Sequence, residues 1–176
     1  MKFIFPCMEN EQKATEFIQE FYDHSSPING TGGLDGYLKN STYSEWLTKI
    51  IRDIDIANIP EGRVPGFTYF YVREEDDKII GMINIRLALN DFLRTEGGHI
   101  GYCIRPTERG KGYGTKMLRE TLEFCKRIGL YEVIISCDKP NMVSAGVIKN
   151  CGGVLDAEFF SEFFGEEIQR YKISAK

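Results

Sequence analysis

Apolar positions recur with changing period along this 176-residue chain, and each change of period marks a new element. "KFIFPCM" (Lys2–Met8) is a short apolar run and predicts an opening strand. In "NEQKATEFIQEFYDHS", Ala14, Phe17, Ile18, Phe21 and Tyr22 follow the i, i+3, i+4, i+7 spacing of one helical stripe. The stretch from Ser26 to Ser41 mixes glycines with Pro27, Asn and Asp and reads as loop. Helical spacing returns in "YSEWLTKIIRDIDIANIP" through Trp46, Leu47, Ile50, Ile51 and Ile54, and stops before Pro60.

The rule then changes. In "FTYFYVREEDDKIIGMINIRLAL", aromatic and β-branched residues flank an acidic turn at Glu75–Asp77, which predicts a β-hairpin. "GGHIGYCIRP" (Gly97–Pro106) is a third strand in succession. A helix follows from about Gly112 to Ile128, with Met117, Leu118, Thr121, Phe124, Cys125 and Ile128 on one side and Gly129 at its end. "EVIISCD" (Glu132–Asp138) is apolar enough for a strand buried on both faces. "NMVSAGVIKNC" predicts a short helix capped by Asn141 and stopped by Gly152 and Gly153, and the strands Val154–Ser161 and Glu166–Ser174 finish the chain. The order β-α-α-β-β-β-α-β-α-β-β describes an α/β protein, a mixed sheet of about seven strands flanked by about four helices.

Composition narrows the class. The length suits one domain spanning residues 1–176, and 42% hydrophobic with 27% charged residues is ordinary globular usage. A net charge of -4 argues against nucleic acid as a partner, because phosphate binding draws on an excess or a clustered face of Lys and Arg. The five cysteines, Cys7, Cys103, Cys125, Cys137 and Cys151, are odd in number and form no CxxC pair. They read as small buried hydrophobes in a reducing compartment. His24 and His99 lie near no cysteine cluster, so no metal site is expected. The apolar start is shorter than the ~7–15 residues of a signal-peptide core, and no later run reaches the ~18 that span a bilayer. The expectation is a cytoplasmic protein with no membrane partner.

The most informative stretch is "RPTERGKGYGTKM", where a strand passes into a helix. Helix starts present unpaired N–H groups and the positive end of the helix dipole, which suits a phosphate or pyrophosphate. Gly110, Gly112 and Gly114 remove the side chains that would keep an anion from the backbone, and Arg109 and Lys111 add positive charge. The same glycines would also serve a plain turn. Two phosphate loops fail: GxGxxG needs a further glycine where Thr115 or Met117 stands, and GxxxxGK[ST] has no match.

The segment Arg109-Gly110-Lys111-Gly112-Tyr113-Gly114, after a strand ending "IRP", resembles the R/Q-x-x-G-x-G/A pyrophosphate loop of the GNAT superfamily of N-acetyltransferases. Two early helices, three successive strands before the loop and a strand–helix–two-strand finish resemble that family too, as does Asn141 in "NMVSAGVIKNCGG". The resemblance implies a GNAT-like fold and an acetyl-CoA-dependent N-acetyltransferase. It implies acetyl-CoA held in an opening between Gly97–Pro106 and Glu132–Asp138, with the backbone of Cys103 and Ile104 on the pantetheine arm. Ile104 would supply the backbone donor to the oxyanion. Arg109, Gly110, Lys111, Gly112, Tyr113, Gly114 and Thr115 would hold the pyrophosphate, with Asn141 and Ser144 as further cofactor contacts. Tyr113 could instead pack beneath the loop, and Asn141 could be a helix cap only.

Family members often carry a Tyr acid and a Glu on the neighbouring strand; the matching positions here are Ile148 and Ser136. The candidates left for proton transfer are His99, Tyr102 and Glu96. The acceptor would be a small amine or an exposed amino group, and the Ile28–Tyr37 stretch is a candidate substrate lid. The last strands offer edges for a homodimer. Rival readings are an acyl-CoA sensor with this fold and little catalysis, and an unrelated nucleotide-binding α/β protein.

Overall fold

A short strand β1 (Lys2–Ile4) opens the chain and lies antiparallel to β2 (Gly66–Arg73), which turns into the antiparallel strand β3 (Lys78–Arg86). β4 (Ile100–Ile104) completes a sheet in the order β1-β2-β3-β4. The second sheet holds β5 (Glu132–Asp138), β6 (Val154–Ser161) and β7 (Glu166–Ser174), antiparallel in the order β5-β7-β6. All seven expected strands form, divided between two sheets. This computed structural model describes residues 1–175. The chain makes two compact units, Met1–Ala88 with Gly101–Tyr113, and Leu89–Ile100 with everything from Gly114 onward.

The first unit is built on its helices α1 (Glu11–Asp23), α2 (Leu34–Asn40) and α3 (Tyr43–Arg52). Their apolar stripes meet the sheet in one cluster that includes Phe17, Phe21, Trp46, Ile50, Phe70 and Met82. Burying side chains of this size contributes about 1.5–3 kcal/mol each, so this cluster holds the unit together. A capping box starts α3: Thr42 Oγ1 accepts from Glu45 N–H at 3.2 Å while Glu45 reaches back to the Thr42 N–H.

The second unit carries α4 (Tyr113–Arg127) from Gly114 on, and α5 (Met142–Asn150). β5 is buried at Val133, Ile134, Ile135 and Cys137, as its nearly unbroken apolar run requires.

The structure corrects the sequence reading in three places. Ser26–Ser41 is not all loop: Leu34, Tyr37 and Leu38 make a short apolar stripe, and α2 forms around it despite Gly36. The third strand covers only Ile100–Ile104, because Leu93–Gly97 winds into a π-helical turn. Tyr22, Ile51, Ile54 and Ile128 flank their stripes and stay exposed, whereas Tyr43 and Leu122 are buried. Within the Ile28–Tyr37 stretch, Trp46 Nε1 and Lys49 Nζ both donate to Gly32 O, at 3.3 and 3.0 Å.

Candidate active site

The connector that leaves β4 is held by a carboxylate from α1. Glu20 Oε2 accepts from Arg105 Nη1 at 2.6 Å, and Oε1 accepts from the N–H and hydroxyl of Thr107 at 3.0 and 2.7 Å. Burial acts to raise the Glu20 pKa, but the Thr107 and Arg105 bonds together outweigh it and bring it to about 2. Arg105 is itself buried, donating Nε to Ile79 O at 2.7 Å and lying over the Phe17 ring. A guanidinium tolerates such a place only when its donors are satisfied.

Arg109 opens the loop and turns its side chain back onto the protein. Its Nε donates to Ile104 O at 3.0 Å, Nη2 donates to Ser26 Oγ at 2.8 Å, and the guanidinium stacks over Phe21. Gly110 and Gly112 follow with φ of +76° and +79°, the left-handed region that other residues enter at a cost of roughly 1–2 kcal/mol. These two glycines set the path of the loop. α4 then begins at Tyr113, where the first N–H groups of a helix have no acceptor within it.

Charge around this loop is concentrated and paired. Glu108, only 5% exposed, accepts from Lys111 Nζ at 2.8 Å, Arg73 Nη1 at 3.1 Å and Lys78 Nζ at 3.4 Å. The Lys111 bond is the largest influence on its carboxyl, which lies below the usual range although burial opposes the shift. Arg73 also grips Asp76 with two bonds, at 2.9 and 2.6 Å.

β4 is the terminal strand of its sheet. Arg105 N–H points inward, donating to Ile80 O on β3 at 2.8 Å. Backbone groups of successive strand residues point to opposite sides, so the N–H and C=O of Ile104 face the outer edge. The Arg109 bond to Ile104 O agrees with that direction. Cys103 is buried and burial pushes its thiol up to about 12. At the other end of the strand, Gly30 lies against the backbone of Gly101 and half-buried Tyr102; a Cβ on Gly30 would sit 2.2 Å from Tyr102 N.

His99 and Glu96 belong to the second unit. The His99 N–H donates to Ile134 O at 2.7 Å, and Nδ1 accepts from the Ile134 N–H at 2.9 Å. A neutral imidazole that accepts at Nδ1 carries its proton on Nε2. Buried in this way, His99 offers no lone pair for an incoming proton without giving up a strand hydrogen bond. Its geometry is that of a strand fastener. Glu96 is half-buried in the π-helical turn and accepts a hydrogen bond from the Ser161 hydroxyl, which in turn accepts from Phe164 N–H at 3.0 Å.

Asn141 caps α5, its Oδ1 accepting from Ser144 N–H at 3.0 Å. Cys151 Sγ donates to Thr115 O at 3.6 Å. Burial raises the pKa of Cys137 and Cys151 and lifts Cys125 to about 11. Ser136 and Ile148 hold no acid–base pair: Ile148 is fully buried, and Ser136 Oγ is buried without a hydrogen-bond partner.

The family model "Acetyltransferase (GNAT) family" matches residues 35–152, more than half of the chain. This chain belongs to the GNAT acetyltransferase family. Solved structures agree with the fold. The acetyltransferase is similar to ribosomal-protein-S5-alanine acetyltransferase from Vibrio fischeri, at 15% identity over 99% of this chain and 92% of that one, with a TM-score of 0.74. It is similar to Mycobacterium smegmatis RimJ, solved with CoA-disulfide, at 17% identity over 98% and 81%, with a TM-score of 0.71. The microcin C7 self-immunity acetyltransferase MccE, solved with acetyl-CoA and AMP, gives 16% identity over 98% and 91% and a TM-score of 0.68. No match was found among curated protein sequences.

As a GNAT protein the chain is an acyltransferase, and acetyl-CoA is the family's co-substrate. Among the described residues, no helix is long and apolar enough to cross a membrane, and no group of three or more His, Cys, Asp or Glu could hold a metal ion. Sequence reading missed four groups that build the loop's support: Glu20, Ser26, Phe21 and Glu108. Only Glu108 left a local trace, as an acid beside a basic glycine-rich run. The other three lie more than 80 residues from their partners.

Proposed function

We propose that this acetyltransferase moves an acetyl group from acetyl-CoA to a primary amine, on a small molecule or an exposed amino group, by direct attack on the thioester. The observation that carries the reading is the strand–loop–helix joint. There, an outward-facing backbone at Ile104 leads through Arg109 to Gly110 and Gly112, both at positive φ, and into the start of α4. That joint suits a diphosphate at the glycines, held by N–H groups through Gly114 and Thr115, and a carbonyl oxygen near Ile104. The side chains of Arg109 and Asn141, already engaged, serve by shaping the backbone.

In the reaction the amine nitrogen forms a bond to the acetyl carbon and the carbon–sulfur bond breaks. The amine loses a proton, and the departing sulfur gains one. The raised pKa of the buried thiols favours transfer in one step over an acetylated cysteine. Glu96 is assigned as proton acceptor, since a carboxylate keeps acceptor capacity beyond the bond it takes from Ser161. Tyr102 is assigned as donor to the sulfur, and His99 fixes strand geometry. The five free thiols suit a reducing compartment such as the cytoplasm.

The test is CoA release from acetyl-CoA in the presence of a panel of amines, including free polyamines and peptides with free N-termini. Amine-dependent release is the expected result. Tight acetyl-CoA binding with no amine-stimulated release would overturn the catalytic reading.

A further inference from the structure

We infer that Glu108 is a positioning residue that presets the glycine loop for the diphosphate of acetyl-CoA; this rests on the acetyl-CoA reading above. The carboxylate stands just before the loop and joins two elements distant in sequence. Arg73 and Lys78 are the facing corner residues where β2 turns into β3. Lys111 lies inside the loop, and Glu108 binds all three cations at 2.8 to 3.4 Å. Lys111, the residue before Gly112, is therefore tied to the Glu108–Arg73 pair, while Gly112 itself takes φ of +79°. With Lys111 anchored, the peptide plane before Gly112 has little freedom to turn. The entropy cost of ordering a glycine-rich loop is met during folding and not on binding.

The cluster also makes a prediction whose sign separates two roles. Glu108 and Asp76 face Arg73, Lys78 and Lys111, so removing the Glu108 charge makes the surroundings of the loop more positive. If Glu108 only neutralised cations, its loss would tighten the binding of an anion. If it positions the loop, its loss weakens that binding in spite of the added positive charge.

CoA affinity is measured by titration calorimetry for the full chain, Glu108→Gln, Lys111→Met and the double variant, with thermal unfolding alongside. The expected result is a five- to tenfold rise in Kd for each single variant and no further rise in the double. Steady-state rates should show the same rise in KM for acetyl-CoA, with kcat changing less than twofold. S-acetylpantetheine, which lacks the diphosphate, should show no comparable rise in KM. Arg73→Lys, which leaves Glu108 in place, should raise the Kd about twofold and guards against a Glu108 variant that fails to fold. Unchanged or tighter CoA binding by Glu108→Gln overturns the inference. An unmodified chain that binds no CoA overturns the acetyl-CoA reading itself, so the two failures are distinct.

Discussion

The connector from Arg105 to Tyr113 and the segment from Leu89 to His99 solve opposite problems. In the connector each charged side chain is bonded within the protein: Arg105 to Glu20, Arg109 to Ile104 O and Ser26, and Lys111 to Glu108. In the second unit, Phe92 from the other segment stays exposed and packs with the exposed Phe163 and Phe164 of the β6–β7 turn at centroid distances of 4.9 and 6.1 Å. One region is saturated with internal bonds and the other keeps groups facing water. In the first, each charged side chain depends on a named partner. In the second, side chains can change without dismantling a charge network.

This contrast can be broken by substitution. The largest effect is expected from Glu20→Ala, which leaves Arg105 buried without its carboxylate; stability should fall by about 3–5 kcal/mol in urea titrations. The same pair has a pH signature. Glu20 moves from 4.5 unfolded to about 2 folded, so its contribution is complete above the unfolded value and disappears as pH falls through the folded one. That contribution is about 3 kcal/mol at about 1.4 kcal/mol per pH unit, and Glu20→Gln should flatten the stability curve between those values. A Glu20→Gln chain that loses stability in the same window as the parent would show that the connector is held by something else.

Next in size is Glu96→Gln. As loss of a proton acceptor it should lower kcat about 100-fold and leave the KM for acetyl-CoA nearly unchanged. A change in KM alone would move Glu96 out of the chemistry. Gly112→Val should raise the Kd for CoA about tenfold, because a β-branched residue at positive φ carries roughly 1–2 kcal/mol of strain. Calorimetry shows this directly, and an unchanged Kd would mean that the loop does not hold the diphosphate. The smallest effect on activity is expected for His99→Ala. It should cost about 1–3 kcal/mol of stability by stranding the Ile134 N–H, yet alter kcat less than threefold and leave the shape of the pH–rate profile intact. A lost limb in that profile would restore His99 as a base.

Local pattern made much of this legible. The seven strands and the helices α1, α3, α4 and α5 follow from apolar spacing, and the glycines at 110 and 112 announced backbone that side chains could not follow. α2 escaped notice because its apolar stripe is only Leu34, Tyr37 and Leu38, set among glycine, asparagine and aspartate. The hydrogen bonding of His99 is hidden from the sequence for a different reason. Its intrinsic pKa suits a base, but whether Nδ1 is free depends on a strand 35 residues away.

By itself, then, the sequence determined which segments could become strand or helix and where the chain would bare its backbone, since those follow from the period of apolar residues and the missing Cβ of glycine. Tertiary structure alone decided which charges meet. The Glu20–Thr107 bonds span 87 residues and the Arg73–Glu108 pair spans 35, distances over which no local periodicity constrains a partner. A buried ion pair forms only where the packed core brings two groups together and removes water from both. The core, more than the motif, brought the loop its partners.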